Sequence, residues 1–313
     1  MNLESPFSAN RRQFLSTLLG GAAGLSLTYR ALGQNAPAPI TATKLSDDLA
    51  LMMGDGGNVA VIIGPDGLMM IDGGLPNRAA DLQKAIASVD SHKVQVLFNT
   101  HWHFDHTGSN ELLGAQGVKI IAHENTKKHL STKTTMEALN RTFDPVKPEG
   151  LPAETFAKGG KMTFAKQKLE YSHIAPAHTD SDCYVFLPGP NVLHTGDVLF
   201  NGFYPIIDYS TGGWIGGMAA GCGTLLKIGD AKTRVIPGHG PLGTKDDLKA
   251  SHDMLATIND RLEKFAKDGK SVDEVVAAAP TKDFDDKWGK GGMNPPTFVK
   301  VAYTSVLRHN QKA

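Results

Sequence analysis

The sequence predicts a layered α/β fold. Three observations carry this. Short runs of β-branched and aromatic residues alternate along the chain with stretches whose apolar residues recur at helical spacing. No internal repeat of 20–50 residues marks a solenoid or propeller. The composition, 41% hydrophobic and 20% charged over 313 residues, suits a chain that buries a sizeable core.

Taken in order, residues 1–33 stand outside the domain. Asn10-Arg11-Arg12-Gln13-Phe14-Leu15 leads into an uncharged stretch from Phe14 to Tyr29, and Ala31-Leu32-Gly33 offers small residues for cleavage. Sixteen residues at about 1.5 Å each span about 24 Å, short of a hydrocarbon core of about 30 Å. The segment therefore reads as an export signal and not as a permanent anchor. The Arg11-Arg12 pair resembles a twin-arginine signal, which implies passage through the twin-arginine translocation machinery to the periplasm or beyond, with the chain already folded. Residues 34–44 read as a linker, 45–245 as the main domain, and 246–313 as helices packed on it.

Within the domain, β-type runs fall at Val59–Ile63, Leu68–Ile71, Val94–Phe98, Lys119–Ala122, Lys168–Ile174, Tyr184–Leu187, Val192–His194 and Arg234–Ile236. Pro65-Asp66-Gly67 joins the first two as a hairpin turn. Asn77 is placed to cap a helix burying Leu82, Ile86 and Val89. Further helices are expected over 124–140, 214–228, 246–267, 271–279 and 295–308, the last opened by Pro295-Pro296.

Charge and cysteine content narrow the function. Lys+Arg and Asp+Glu number 32 each, and removal of residues 1–33 takes away three arginines and Glu4, leaving a net of −2. No basic surplus marks a nucleic-acid partner. Two cysteines, Cys183 and Cys222, exclude a disulfide-rich scaffold and any four-cysteine metal site; whether they pair is left open by the sequence.

The twelve histidines are grouped. Thr100-His101-Trp102-His103-Phe104-Asp105-His106-Thr107-Gly108 follows the apolar run Val94–Phe98, on a loop at a strand's C-terminal end. An i, i+2 pair such as His101 and His103 points to one side of an extended backbone and can hold one cation. Asp105 and His106 follow too closely to share it and suit a second cation beside the first. Imidazole with carboxylate fits zinc, and also iron or manganese. Trp102, between two ligands, should point the opposite way into the core.

This His-x-His-x-Asp-His segment resembles that of the metallo-β-lactamase superfamily, and the rest of the pattern follows in order. Ile71-Asp72-Gly73-Gly74 is similar to the family's early Asp-x-Gly turn. Ala177-His178-Thr179-Asp180, His194-Thr195-Gly196-Asp197 and Pro237-Gly238-His239-Gly240 each follow a strand. The resemblance covers roughly residues 45–245. It implies a four-layer αββα sandwich and two divalent metal ions, most simply Zn2+. His101, His103 and His178 would hold the first, and Asp105, His106 and His239 the second. Asp197 would bridge them, and Asp72 would orient a ligand. It further implies a hydrolase in which a hydroxide shared by the ions attacks a small-molecule ester, lactone, thioester or amide, weak β-lactam hydrolysis included. Asp105 would also act catalytically, orienting the nucleophile and taking up a proton.

Departures from sister branches sharpen this. His103 stands where the diiron oxygen-reducing members carry Glu. Asp197 makes the ligand set look like the glyoxalase II and lactonase branches, although no glutathione-binding pattern follows His239. The alternative is a non-catalytic metal-bearing accessory protein of an exported redox system. Loop 54–58 is read as a plain turn in preference to a flap. The aromatics Phe203, Tyr204, Tyr209 and Trp214 are open between cleft lining and core. His194 is read as a strand-end residue without a role, and His92, His123, His129, His173, His252 and His309 as ordinary.

Overall fold

A computed structural model describes residues 38–312. The export signal expected over residues 1–33 lies outside the described residues. Two sheets face each other. The first has seven strands in the order β1-β2-β3-β4-β5-β6-β9: Thr41–Ser46, Leu49–Met53, Val59–Ile63, Leu68–Ile71, Val94–Asn99, Lys119–His123 and Glu154–Phe156. The second has five, β10-β11-β12-β13-β14: Gly159–Phe164, Gln167–His173, Cys183–Leu187, Val192–His194 and Arg234–Ile236. A small hairpin, β7 (Thr134–Met136) with β8 (Arg141–Phe143), stands apart.

The period-two alternation of the strands sorts side chains into layers. Leu49, Leu51, Ala60, Ile62, Met69, Ile71 and Phe98 point inward and meet Leu169, Val185, Leu187, Val192 and Ile236 of the other sheet. Their neighbours Ala50, Met52, Val61, Met70 and Leu97 point outward, where Leu82 and Ile86 of the helix Ala79–Ala87 cover them. Leu193 and Val235 point outward from the second sheet. The helices Ile215–Leu225, Lys245–Lys267 and Pro295–Asn310 cover them through Met218, Leu255, Ile258 and Phe298. The result is the four-layer αββα sandwich. Both strand faces are apolar in β2 and β4 because both are covered. Each such Leu or Ile contributes about 1.5–3 kcal/mol of burial.

The expected elements differ from the observed ones at several points. β1 begins inside the segment read as a linker (34–44); its first four residues are exposed, so no apolar pattern announces it. The helix expected over 124–140 stops at Ser131. Thr132 and Thr134 follow, and their hydroxyls donate to the last-turn carbonyls of Lys128 and His129 at 2.9 and 3.1 Å. The chain then turns at Asn140 (φ 49°) into the β7–β8 hairpin. Asn77 does not cap its helix: a 3-10 turn over Pro76–Arg78 leads in, and buried Arg78 pairs with Asp55 and Asp81. Strands β2, β9 and β10 were not expected. Cys183 and Cys222 are free, buried thiols in different layers. No helix among the described residues is long and apolar enough to cross a membrane.

Candidate metal centre

The parallel pairs β4–β5 and β13–β14 end on the same edge of the sandwich and deliver the site. Asp72 follows β4, the loop from Thr100 to His106 follows β5, Asp197 follows β13 and His239 follows β14. His178 comes from the loop between β11 and β12. The structure brings all seven expected ligands together as two adjoining groups: His101, His103, His178 and Asp197, then Asp105, His106 and His239. Asp197 touches both. Its carboxylate lies 3.3 Å from His178 Nε2 and 3.8 Å from His101 Nε2 on one side. On the other it lies 3.0 Å from His106 Nε2 and 3.4 Å from His239 Nε2.

Each of four rings is fixed through one nitrogen, leaving the other for the centre. His106 Nδ1 bonds Asp72 at 2.7 Å, and Asp72 itself accepts from Thr100 N and Oγ1 at 2.7 and 2.8 Å. His178 Nδ1 bonds the Ile206 carbonyl at 2.7 Å. His103 Nε2 bonds Asp208 at 3.2 Å, and His101 Nδ1 bonds Thr100 Oγ1 at 3.1 Å. A carbonyl or carboxylate partner accepts from a ring N–H, so the opposite nitrogen of a neutral ring carries a lone pair. The ring nitrogens that face the centre converge. His103 Nδ1 and His178 Nε2 are 2.9 Å apart, and His106 Nε2 and His239 Nε2 are 3.3 Å apart. His101 Nε2 and Asp197 Oδ1 are buried with no hydrogen-bond partner. Ring nitrogens brought face to face and orphaned buried polar atoms are costly unless positive charge sits among them. The donor set therefore fits divalent metal ions.

The electrostatics agree. Burial holds His101 well below the usual imidazole value and takes His178 to about 4. Burial opposes charge on His239 too, but Asp197 and Asp105 outweigh it and raise that ring to about 9. Burial would raise Asp105, yet His106 and His239 bring it to about 2. Carboxylates on this side of the cluster demand positive charge.

Two backbone approaches need glycine. A Cβ on Gly57 would overlap the His106 ring, and one on Gly238 would overlap the Asp197 carboxylate. The 54–58 segment is a fixed turn. Asn58, 4% exposed, donates its amide to the carbonyls of Pro237 and Gly240, both at 2.9 Å, and so clamps the His239 loop. His194 has a part in this, against the expectation of none: its Nε2 meets the Asn58 carbonyl at 3.3 Å and its Nδ1 accepts from Gly196 N at 3.2 Å.

Of the loop aromatics, Tyr204 packs as core, Phe203 and Tyr209 lie half-buried against it, and Trp214 is half-buried. Tyr204 is stacked on Phe298 and bonded to Asp285, and Trp214 is stacked on His309. Trp102 points away from the donors and donates to Thr211 at 3.3 Å. Sequence reasoning missed Asp208, which holds His103. Burial would raise its carboxyl, but bonds from His103, Thr211 and Ser210 take it to about 2. It also missed Asp182, which accepts from His178 N and Thr179 N at 2.7 and 2.9 Å and shapes the His178 loop. The Asp-x-Ser-Thr and Thr-x-Ser-Asp spacings are the only signal of these turns.

The family model described as the metallo-beta-lactamase superfamily matches residues 52–251. A hydroxyacylglutathione hydrolase from Nitrosococcus oceani is 32% identical over 157 residues, which make up 50% of this chain and 52% of that protein. The chain thus matches about half the length of that curated relative. Among solved structures, a metallo-beta-lactamase from Pontibacter korlensis superposes with a TM-score of 0.56 at 22% identity, covering 69% of this chain and 99% of that one. The sec-alkylsulfatase Pisa1 from Pseudomonas sp. superposes with a TM-score of 0.66 at 17% identity, covering 85% of this chain and 50% of that one. At these identities the structural matches speak to fold.

Proposed function

Since the chain belongs to the metallo-β-lactamase superfamily, we propose that it is an exported dinuclear metal-dependent hydrolase of small esters, thioesters, lactones or amides. The convergence of five ring nitrogens and the Asp105 carboxylate around Asp197 is the observation that carries this reading. His101, His103 and His178 would hold one ion, Asp105, His106 and His239 the other, and Asp197 would touch both. Two zinc ions, or iron or manganese in the same donors, would lower the pKa of a water and polarise the substrate's oxygen.

The chain's own residues do the remainder. Asp72 and Asp208 lock the rings of His106 and His103 in the orientation that aims a lone pair inward. Asp105 is partly open to solvent and lies 3.1 Å from His239; it is the carboxylate placed to accept a proton from an attacking water. The thioester reading draws support from the hydroxyacylglutathione hydrolase relative. Export to the periplasm or beyond, through the twin-arginine machinery, rests on Arg11-Arg12 and the apolar stretch after them. The partner is a small molecule, with neither nucleic acid nor a membrane holding the mature chain.

Gentle purification followed by elemental analysis should find about two divalent ions per chain. A panel of chromogenic esters, thioesters and β-lactams should show turnover that Asp105→Ala or His103→Ala abolishes. Stoichiometric metal with an inert panel would sink the hydrolase reading.

A further inference from the structure

A cavity of about 760 Å³ opens beside the ligand loop, within the range that holds a small organic ligand. Its walls are largely apolar, with Trp102 and Phe104 from the ligand loop, Phe143 from the hairpin, and Leu112, Leu130 and Val146. Leu112 is the large hydrophobic side chain left exposed there. One cation lines it without a partner of its own. The Arg141 guanidinium carbon lies 4.2 Å from the Phe104 ring centre and 4.6 Å from that of Phe143. Those two rings are stacked at 5.3 Å. Among the described residues, no carboxylate or carbonyl accepts a hydrogen bond from Arg141. Of the other charged groups in the walls, Lys147 is paired with Glu111, Asp144 with Lys133 and His129 with Asp180, while the Glu149 carboxylate adds negative charge near Lys147.

Aromatic faces hold a guanidinium in place without using its donors. An arginine so held keeps its fork of N–H groups for a planar anion. Burial lowers Arg141 from the usual guanidinium value and the Asp105 carboxylate of the donor cluster opposes that; Phe104 sits one residue before Asp105 on the same loop. The cavity therefore adjoins the cluster along one short segment.

We propose that this cavity is the substrate's recognition subsite, that Arg141 anchors a carboxylate there, and that the apolar walls seat the chain bearing it. The substrate class is then an amphipathic carboxylic acid with a hydrolysable acyl bond some atoms from its carboxylate. This deepens the hydrolase reading and rests on it for the word substrate, but binding at Arg141 is measurable without turnover.

Calorimetry with 4-phenylbutyrate and its neutral counterpart 4-phenylbutanamide tests the subsite on the metal-loaded full chain. The wild type should bind the acid at least about tenfold tighter than the amide, as expected for one charge-assisted fork worth about 1.4 kcal/mol or more. Arg141→Gln should erase that preference while leaving the amide unchanged. Arg141→Lys should restore part of it, and Leu112→Glu, an exposed position in the same wall, should weaken acid binding alone. Equal binding of acid and amide by the wild type, or a preference that survives Arg141→Gln because the metal holds the acid, would overturn the proposal. An ester panel read in parallel separates the two ideas. Turnover of neutral esters with no Arg141-dependent preference removes the subsite and keeps the hydrolase. Arg141-dependent binding with no turnover of any ester removes the hydrolase and keeps the subsite.

Discussion

The two donor groups differ in their access to water. His101, His103, His178 and Asp197 are all buried, whereas Asp105 and His239 keep side-chain exposures of 15% and 19%. The buried group is enclosed by its orienting partners: Asp208 behind His103, the Ile206 carbonyl behind His178 and Thr100 behind His101. The second group has Asp72 behind His106 only, and its other members face the opening. On the proposed reading, the first group would retain an ion and the second would meet substrate.

The strongest way to break this contrast is at the shared residue. Asp197→Ala removes the carboxylate that approaches rings of both groups, so both ions should be lost and turnover should fall by more than about a thousandfold, roughly 4 kcal/mol of barrier. Elemental analysis and ester kinetics check this; retention of two ions would end the bridging role.

Next, His239→Ala strikes the open group alone. About one ion per chain should remain, and in the wild type a graded chelator titration should release ions in two steps, the first matching the ion missing from this variant. A single concerted release would merge the two groups.

A smaller effect is expected from Asp208→Asn, which touches no reacting atom but turns the His103 ring. Affinity at the buried group should weaken about 10- to 100-fold, read by metal competition, while the ion lost in His239→Ala stays put. Equal weakening of both groups would mark a folding defect instead.

The smallest effect concerns the thiols. Burial takes Cys222 up to about 12 and holds Cys183 well above the ordinary thiol value. Both folded values exceed the unfolded value of about 8.5. The protonated thiol is favoured in the folded state, so stability is intact below pH of about 8.5 and declines as pH rises toward about 12. Neither thiol should react with an alkylating reagent at pH 8 in the folded chain, and both should react in denaturant.

The sequence made the site more legible than the fold around it. His101, His103, Asp105 and His106 are neighbours in the chain, so spacing reaches them, whereas His178, Asp197 and His239 lie in segments that follow strands and are reached only through the family resemblance. β1 was invisible because an edge strand with exposed side chains has no apolar face to display. The β7–β8 hairpin is hidden because no glycine or proline between 125 and 144 marks its turn, while threonine hydroxyls end the preceding helix at Ser131. Asp208 was missed because its partner lies 105 residues away, a distance that no local pattern spans.

The Asn58 clamp has a consequence for how the protein comes into being. Its bonds to Pro237 and Gly240 join positions 179 and 182 residues apart. Loop closure over such separations is slow and comes after local structure. The cradle for His239 therefore exists only when β3 and β14 have both docked, and high-affinity uptake of an ion at the more open group would report that the two sheets have come together.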